Sequence, residues 1–226
     1  MADHAPSSWP EGETPQLEEG LINAPATLVL AHGAGAPMDS PFMTAMASGL
    51  AGKGWRVVRF EFDYMARQRR SGRKAAPDRM PKLQEVFRHQ IKQQEDVAAG
   101  PLIIGGKSMG GRVASLLLDE LAQELSVRGG LCFGYPFHPL GKPDQLRTEH
   151  LALMQTPALI LQGERDGFGT RAEVETYALS PLIQVGWLAD GDHSFKPRKA
   201  SGLREVDNWS AAIEMADVFC RGLVAG

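Results

Sequence analysis

The sequence predicts an α/β protein in which a mostly parallel sheet is covered by helices on both faces. Three observations carry that prediction. Six short, largely apolar runs, Thr27–Ala31, Trp55–Phe62, Pro101–Ile104, Ser126–Phe133, Ala158–Leu161 and Ile183–Leu188, read as strands buried on both faces. Segments with helical spacing stand between them, and a strand–helix alternation packs as parallel strands with helical crossovers. Several runs then break into loops carrying glycine, aspartate and histidine, where parallel sheets gather a functional crevice at the carboxyl ends of their strands.

Each element follows in order. Residues 1–20 are rich in Pro, Glu and Ser and read as an irregular N-terminal arm, with an edge strand around Leu17–Ile22 as the alternative. Residues 21–226 read as a single domain, because no linker and no solenoid-length repeat interrupts them. The strand Thr27–Ala31 opens into the loop His32-Gly33-Ala34-Gly35-Ala36. Phe42, Met46 and Leu50 predict a helix from Pro41 to about Gly52, with Asp39 and Ser40 as candidate caps. Trp55–Phe62 is the second strand of the series. Between Arg67 and Lys92 stand nine Lys or Arg against Asp78 and Glu85, which predicts a solvated loop followed by a helix from about Pro81 to Val97. The functional alternative has some of these arginines facing the mouth of a site and favouring an anionic substrate.

The run ending at Ile104 passes through Gly105 and Gly106 to Ser108, and a helix follows with Val113, Leu116, Leu117, Leu121 and Leu125 on its apolar side. Ser126–Phe133 precedes the loop Gly134-Tyr135-Pro136-Phe137-His138-Pro139. Ala158–Leu161 ends in Gln162-Gly163-Glu164-Arg165-Asp166, and Arg171–Leu179 reads as a helix. Ile183–Leu188 ends in Ala189-Asp190-Gly191-Asp192-His193, and an amphipathic helix from Val206 through Cys220 carries Trp209, Ile213, Ala216 and Phe219.

Size and charge narrow the function. A chain of 226 residues supports one sizeable core. A net charge of -3 gives no general attraction to nucleic acid or to an anionic membrane, so neither is an expected partner. Cys132 and Cys220 are too few for a disulfide scaffold and fit a reducing compartment. No signal-like opening and no bilayer-length apolar run appears, so the expected location is cytoplasmic. Monomer and homodimer both remain open.

The chemistry centres on Gly106-Lys107-Ser108-Met109-Gly110. A strand, a tight turn tipped by a serine and a helix make the setting in which G-x-S-x-G acts as a nucleophile elbow, and the flanking glycines let strand and helix nearly touch. A serine hydroxyl needs an imidazole to take its proton and a carboxylate to hold that imidazole. Ser108, Asp166 and His193 supply these in order, each on a loop after a strand. Asp190 and Asp192 read as turn formers that shape the His193 loop. His89 reads as exposed or structural and His150 likewise, whereas His4 lies in the arm. The amide of Met109 at the helix start and that of Ala34, with Gly35 as the alternative, are the expected oxyanion donors. His32 reads as a brace for that loop, as a satisfied histidine at a strand end, or as a residue of the substrate pocket.

Lys107-Ser108 mimics the end of a phosphate-binding loop, but Pro101 and a hydrophobic strand stand where that motif needs a flexible glycine-led loop. Lys107 is therefore expected at the surface or, failing that, in the substrate pocket. Tyr135, Phe137 and His138 are expected to line the pocket, with a stiffened proline loop as the alternative. The histidines lack metal-ligand spacing and there is no C-x-x-C pair, so no metal and no cofactor is expected.

The motifs Leu30-Ala31-His32-Gly33-Ala34-Gly35, Gly105-Gly106-Lys107-Ser108-Met109-Gly110-Gly111-Arg112, Phe133-Gly134-Tyr135-Pro136-Phe137-His138 and Gln162-Gly163-Glu164-Arg165-Asp166 resemble those of the α/β-hydrolase superfamily, from about Thr27 onward. More narrowly the chain resembles small, lidless dienelactone-hydrolase-like proteins, including a branch shared with a eukaryotic testis-expressed protein and a subunit of a histone-acetyltransferase complex. The resemblance implies an α/β-hydrolase fold, with Ser108 as nucleophile, Asp166 as acid and His193 as base. A dienelactone hydrolase proper uses cysteine where this chain has Ser108, and the segment between Phe133 and Pro157 is too short for a large helical lid. The expected activity is hydrolysis of small soluble carboxylic esters. The rival expectation is a weakly catalytic or non-catalytic scaffold for protein interaction.

Overall fold

The computed structural model describes residues 14–225. Its strands are β1 (Gln16–Glu19), β2 (Thr27–Ala31), β3 (Arg56–Phe60), β4 (Leu102–Lys107), β5 (Val127–Phe133), β6 (Ala158–Gly163) and β7 (Ile183–Leu188). They form one sheet in the order β1-β3-β2-β4-β5-β6-β7. Every neighbouring pair is parallel except β1 with β3. The helices are α1 (Pro41–Gly52), α2 (Asp63–Ser71), α3 (Met80–Glu95), α4 (Met109–Glu124), α5 (Glu149–Ala152), α6 (Arg171–Val174) and α7 (Glu205–Ala225). The sheet is mostly parallel, and among the described residues no lid covers the carboxyl ends of its strands. None of the described helices is long and apolar enough to cross a membrane.

Successive strand residues point to opposite faces, so each apolar run feeds two cores. Val29 and Ile104 enter one core with Phe87 and Ile91 of α3 and with Val113 and Leu117 of α4. Leu28, Leu30 and Ile103 enter the other with Met43 and Met46 of α1 and with Ala212 and Ala216 of α7. Continuous hydrophobicity in these strands is thus the signature of a sheet covered twice.

Four departures from expectation have physical causes. Residues 16–19 of the expected irregular arm form β1, an edge strand of the kind offered there as the alternative, which pairs Gln16–Glu19 with Phe60–Val57. The pairing is locked by buried arginines of β3, with Arg56 on Glu18 at 2.7 Å and Arg59 on Glu19 at 2.5 Å. The rest of the arm up to residue 13, with His4, lies outside the described residues. Residues 67–71, the start of the expected solvated loop, belong to α2, which buries Tyr64, Met65 and Ala66 beneath its basic face. The helix expected over Arg171–Leu179 is a single turn, α6, whose Thr170 amide donates to Glu173 Oε2 at 2.8 Å. Finally, α7 runs to Ala225, beyond the expected end at Cys220.

Candidate active site

The elbow is built by close approach. An added Cβ on Gly106 would fall 2.2 Å from the Ala31 carbonyl oxygen, and one on Gly110 would fall 2.4 Å from the same atom. Only glycine fits where β4 and α4 cross the end of β2. Ser108 between them is held at φ 50 and ψ -110, a region that residues with a Cβ rarely occupy. Its amide donates to the Phe133 carbonyl at 3.0 Å, which locks the turn onto the end of β5.

Ser108 and His193 border one cavity of about 510 Å³ at the carboxyl ends of the strands, with Gly33, Ala34, Phe42 and Trp209 among its walls. A larger groove of about 660 Å³ between β7 and α7 holds Glu214 but no serine, histidine or lysine, so size does not identify the site. His193 is 27% exposed, and its Nδ1 lies 2.8 Å from Oδ2 of fully buried Asp166. A carboxylate there accepts, so Nδ1 carries the proton and Nε2 is left free to take one. Asp166 also accepts from Gln162 Nε2 at 2.9 Å and from the Phe168 amide at 2.9 Å. Gln162 is itself oriented, since its Oε1 accepts from the Tyr135 amide at 2.8 Å. The Phe168 ring packs on the His193 ring with centroids 4.5 Å apart. The Ser108 hydroxyl makes no hydrogen bond among the described residues. Free-state contacts between nucleophile and base often tighten only when substrate arrives.

Asp190 and Asp192 shape the His193 loop. Asp192 Oδ1 accepts from the amides of Ser194 and Lys196 at 2.8 and 3.0 Å, and Asp190 is engaged by Arg165 and Arg198.

The orientation of the amides in the loop after β2 is set by peptide planarity. Because Phe62 N donates to His32 Nε2 at 3.1 Å, the His32 proton sits on Nδ1 and is donated to the Gly33 carbonyl at 2.7 Å. Tyr64 Oη donates to the Ala34 carbonyl at 3.0 Å. In a trans peptide the next N–H points opposite to the carbonyl, so the amides of Ala34 and Gly35 turn away from these buried donors. Burial depresses the His32 pKa and raises that of Tyr64, so the imidazole stays neutral and the phenol keeps its proton. The amide of Met109, first in α4, has no acceptor within its helix.

Several expected pocket residues stand elsewhere. His32 is fully buried as a brace and does not border the cavity. Tyr135 and Phe137 are fully buried and stack with centroids 4.9 Å apart, while Tyr135 Oη donates to the Arg147 carbonyl at 2.9 Å. His138 is buried too, with Nδ1 2.9 Å from the Pro139 carbonyl. These three stiffen the loop from behind instead of lining the pocket. Lys107 does border the cavity, yet it is buried and not a surface group. The aromatic walls Phe42, Phe168 and Trp209 were not foreseen; Phe42 and Trp209 read from sequence only as helix-core residues. The basic segment does not reach the cavity. Arg67 pairs with Asp78, Arg69 with Asp39 and Glu61, Lys82 with Asp63, and Arg88 with Glu120. His150 Nε2 lies 2.9 Å from Ser115 Oγ and His89 is exposed, which gives both the peripheral positions expected. Among the described residues no group of three His, Cys, Asp or Glu is placed to hold a metal.

A doubly covered parallel sheet, a strained serine turn and a crevice at the strands' carboxyl ends define an α/β-hydrolase scaffold. A family model described as an alpha/beta hydrolase domain matches residues 24–221, and the chain belongs to that family. Solved structures share the fold at low identity. An alpha-beta serine hydrolase homologue from Coxiella burnetii is 18% identical over 89% of each chain, with a TM-score of 0.66. A serine hydrolase without lid from Xanthomonas campestris is 19% identical, over 91% of this chain and 94% of that one, with a TM-score of 0.61. A dienelactone hydrolase from Anabaena variabilis is 17% identical, over 94% and 93%, with a TM-score of 0.70.

Proposed function

We propose that the protein is a serine hydrolase of small soluble carboxylic esters, working through Ser108, His193 and Asp166. The observation that carries this reading is the 2.8 Å contact of His193 Nδ1 with buried Asp166, beside a cavity that His193 shares with Ser108. Kinship with the dienelactone-hydrolase-like branch expected from the motifs is part of the same reading.

The chemistry runs in two halves. Ser108 Oγ attacks the ester carbonyl while His193 Nε2 takes its proton, and the carbonyl π electrons move onto an oxygen held by the amides of Met109 and Ala34. Collapse expels the alcohol oxygen, which takes the proton from His193, and an acyl group remains on Ser108. Water then attacks that acyl group with His193 as base. The carboxylic acid leaves and the Ser108 hydroxyl is restored. Asp166 holds the Nδ1 proton throughout, so the ring neither flips nor changes tautomer. Apolar walls and a modest cavity favour a small uncharged ester over a long chain or an anionic substrate.

The test is labelling with a fluorophosphonate probe, followed by intact mass and peptide mapping, beside Ser108→Ala and His193→Ala. One adduct on Ser108, absent in the first variant and far slower in the second, is expected. A folded protein that takes no adduct would overturn the reading in favour of an interaction scaffold.

A further inference from the structure

The triad chemistry has no use for Lys107, the residue immediately before the nucleophile, yet the fold encloses it. Lys107 is only 8% exposed. Its stem runs beneath Gly33, where an added Cβ would lie 3.5 Å from Lys107 Cγ. The ammonium lies 5.3 Å from the ring centroid of Phe42 and 5.9 Å from that of Phe195, and Nζ donates to the His193 carbonyl at 2.5 Å. Gly134, at φ 66, makes room for it: a Cβ there would fall 2.6 Å from Nζ and 3.3 Å from His193 Cε1. Ammonium and imidazole are therefore neighbours around one glycine.

Other carbonyls near His193 are held by Arg165, which binds those of Asp190 and Lys196, and by two neutral donors. Asn208 Nδ2 binds those of Ala189 and Phe195, and Trp209 Nε1 binds that of Ser194, all from α7. The bond from Lys107 is charge-assisted like those of Arg165, and it differs from all of them in coming from the strand that leads to Ser108. Burying an ammonium is costly, and desolvation lowers the Lys107 pKa to about 8 against the opposing pull of Asp166 and Asp192. Its other neighbours, Phe42 of α1, Phe195 and Gly134, are uncharged. A cation kept here at such cost has a role that a methionine of similar shape would not fill.

We propose that Lys107 is a positioning residue for His193, clamping the backbone of the His193 loop to the elbow strand. The proposal rests on the triad reading. It is tested with Lys107→Met and Lys107→Arg, comparing thermal melts, fluorophosphonate labelling rates, and kcat and KM on p-nitrophenyl acetate from pH 5 to 10. Lys107→Met is expected to lower kcat by about 10- to 100-fold through misplacement of the base, with KM changing by roughly threefold or less. Wild-type kcat should fall above about pH 8, where the ammonium is lost, and Lys107→Met should lack that alkaline fall. Lys107→Arg, which keeps charge and donor, should recover part of the rate. Wild-type kcat in Lys107→Met would overturn the proposal, as would a rate loss that keeps the alkaline fall. If Lys107→Met does not fold, the wild-type labelling rate decides: a fall above about pH 8 supports the clamp, and a flat profile to pH 10 overturns it. A wild-type protein that takes no label at Ser108 would instead refute the triad reading.

Discussion

Replacing Ser108 with glycine should make the protein more stable while abolishing its chemistry. Ser108 sits at φ 50 and ψ -110, and a residue with a Cβ held in so sparsely populated a region costs about 1–3 kcal/mol. Glycine removes that strain but adds freedom to the unfolded chain, which takes back roughly 0.4–1 kcal/mol. The net gain is of order 1 kcal/mol. For a chain of this size, 1 kcal/mol corresponds to a Tm change of about 2–4 °C. Ser108→Ala is the control, since it keeps the Cβ and its strain and deletes a hydroxyl that bonds to nothing among the described residues. Calorimetry of the three proteins at one pH should place Ser108→Gly above Ser108→Ala, with Ser108→Ala close to wild type. Equal melting of the two variants would refute the argument that the elbow stores strain at the nucleophile.

Three further outcomes follow from other contacts. Asp166→Asn should lower kcat by about 10⁴-fold with little loss of fold, because an amide NH₂ must then face one of the donors Gln162 Nε2, His193 Nδ1 or the Phe168 amide; an ester assay on folded protein that finds under tenfold loss would reject Asp166 as the acid. Tyr64→Phe removes the hydroxyl that holds the Ala34 carbonyl, and kcat should fall by roughly tenfold with KM nearly unchanged if that bond aims the oxyanion amide. Steady-state kinetics showing only a KM change would refute it. The pH dependence of stability has a definite sign. Burial lowers the His150 pKa from 6.5 to about 4 and depresses that of His32 as well, so the unfolded chain binds these protons first. Their contribution is therefore complete above about pH 6.5 and is lost as pH falls toward 4. For partly exposed His150 the loss is of order 1 kcal/mol after allowance for solvent screening. Urea midpoints should decline over that window, and His150→Gln should flatten the decline.

The elbow was legible because its chemistry demands rare residues in a fixed order: glycines at 106 and 110 answer a contact with Ala31, and no other residue type fits. The same holds for the sheet, whose two-sided burial appears as unbroken apolar runs. What was not legible depended on partners far along the chain. β1 is four residues with two glutamates, and it is a strand because Arg56 and Arg59 wait for them on β3. α2 is concealed by the density of its arginines, although Tyr64, Met65 and Ala66 mark its buried side. Tyr135 and Phe137 sit on a loop leaving a strand's carboxyl end, which is where pocket residues gather, but loop position does not say which way a side chain turns.

Lys107 shows most clearly why a local rule fails here. A lysine beside an exposed serine would ordinarily reach water along a path of its own choosing. In this fold its stem passes through a channel beside Gly33, and Gly134, from a distant segment, leaves the space in which its ammonium stops. At the end of that channel waits the carbonyl of His193, a residue that sequence spacing alone cannot bring near it. The strand that leads to Ser108 thus reaches across to the backbone of His193. The serine and the histidine are related not only by the cavity they share but by a charged bond beneath it. Activity that depends on the distance between Ser108 and His193 should therefore depend on a side chain that touches no reacting atom.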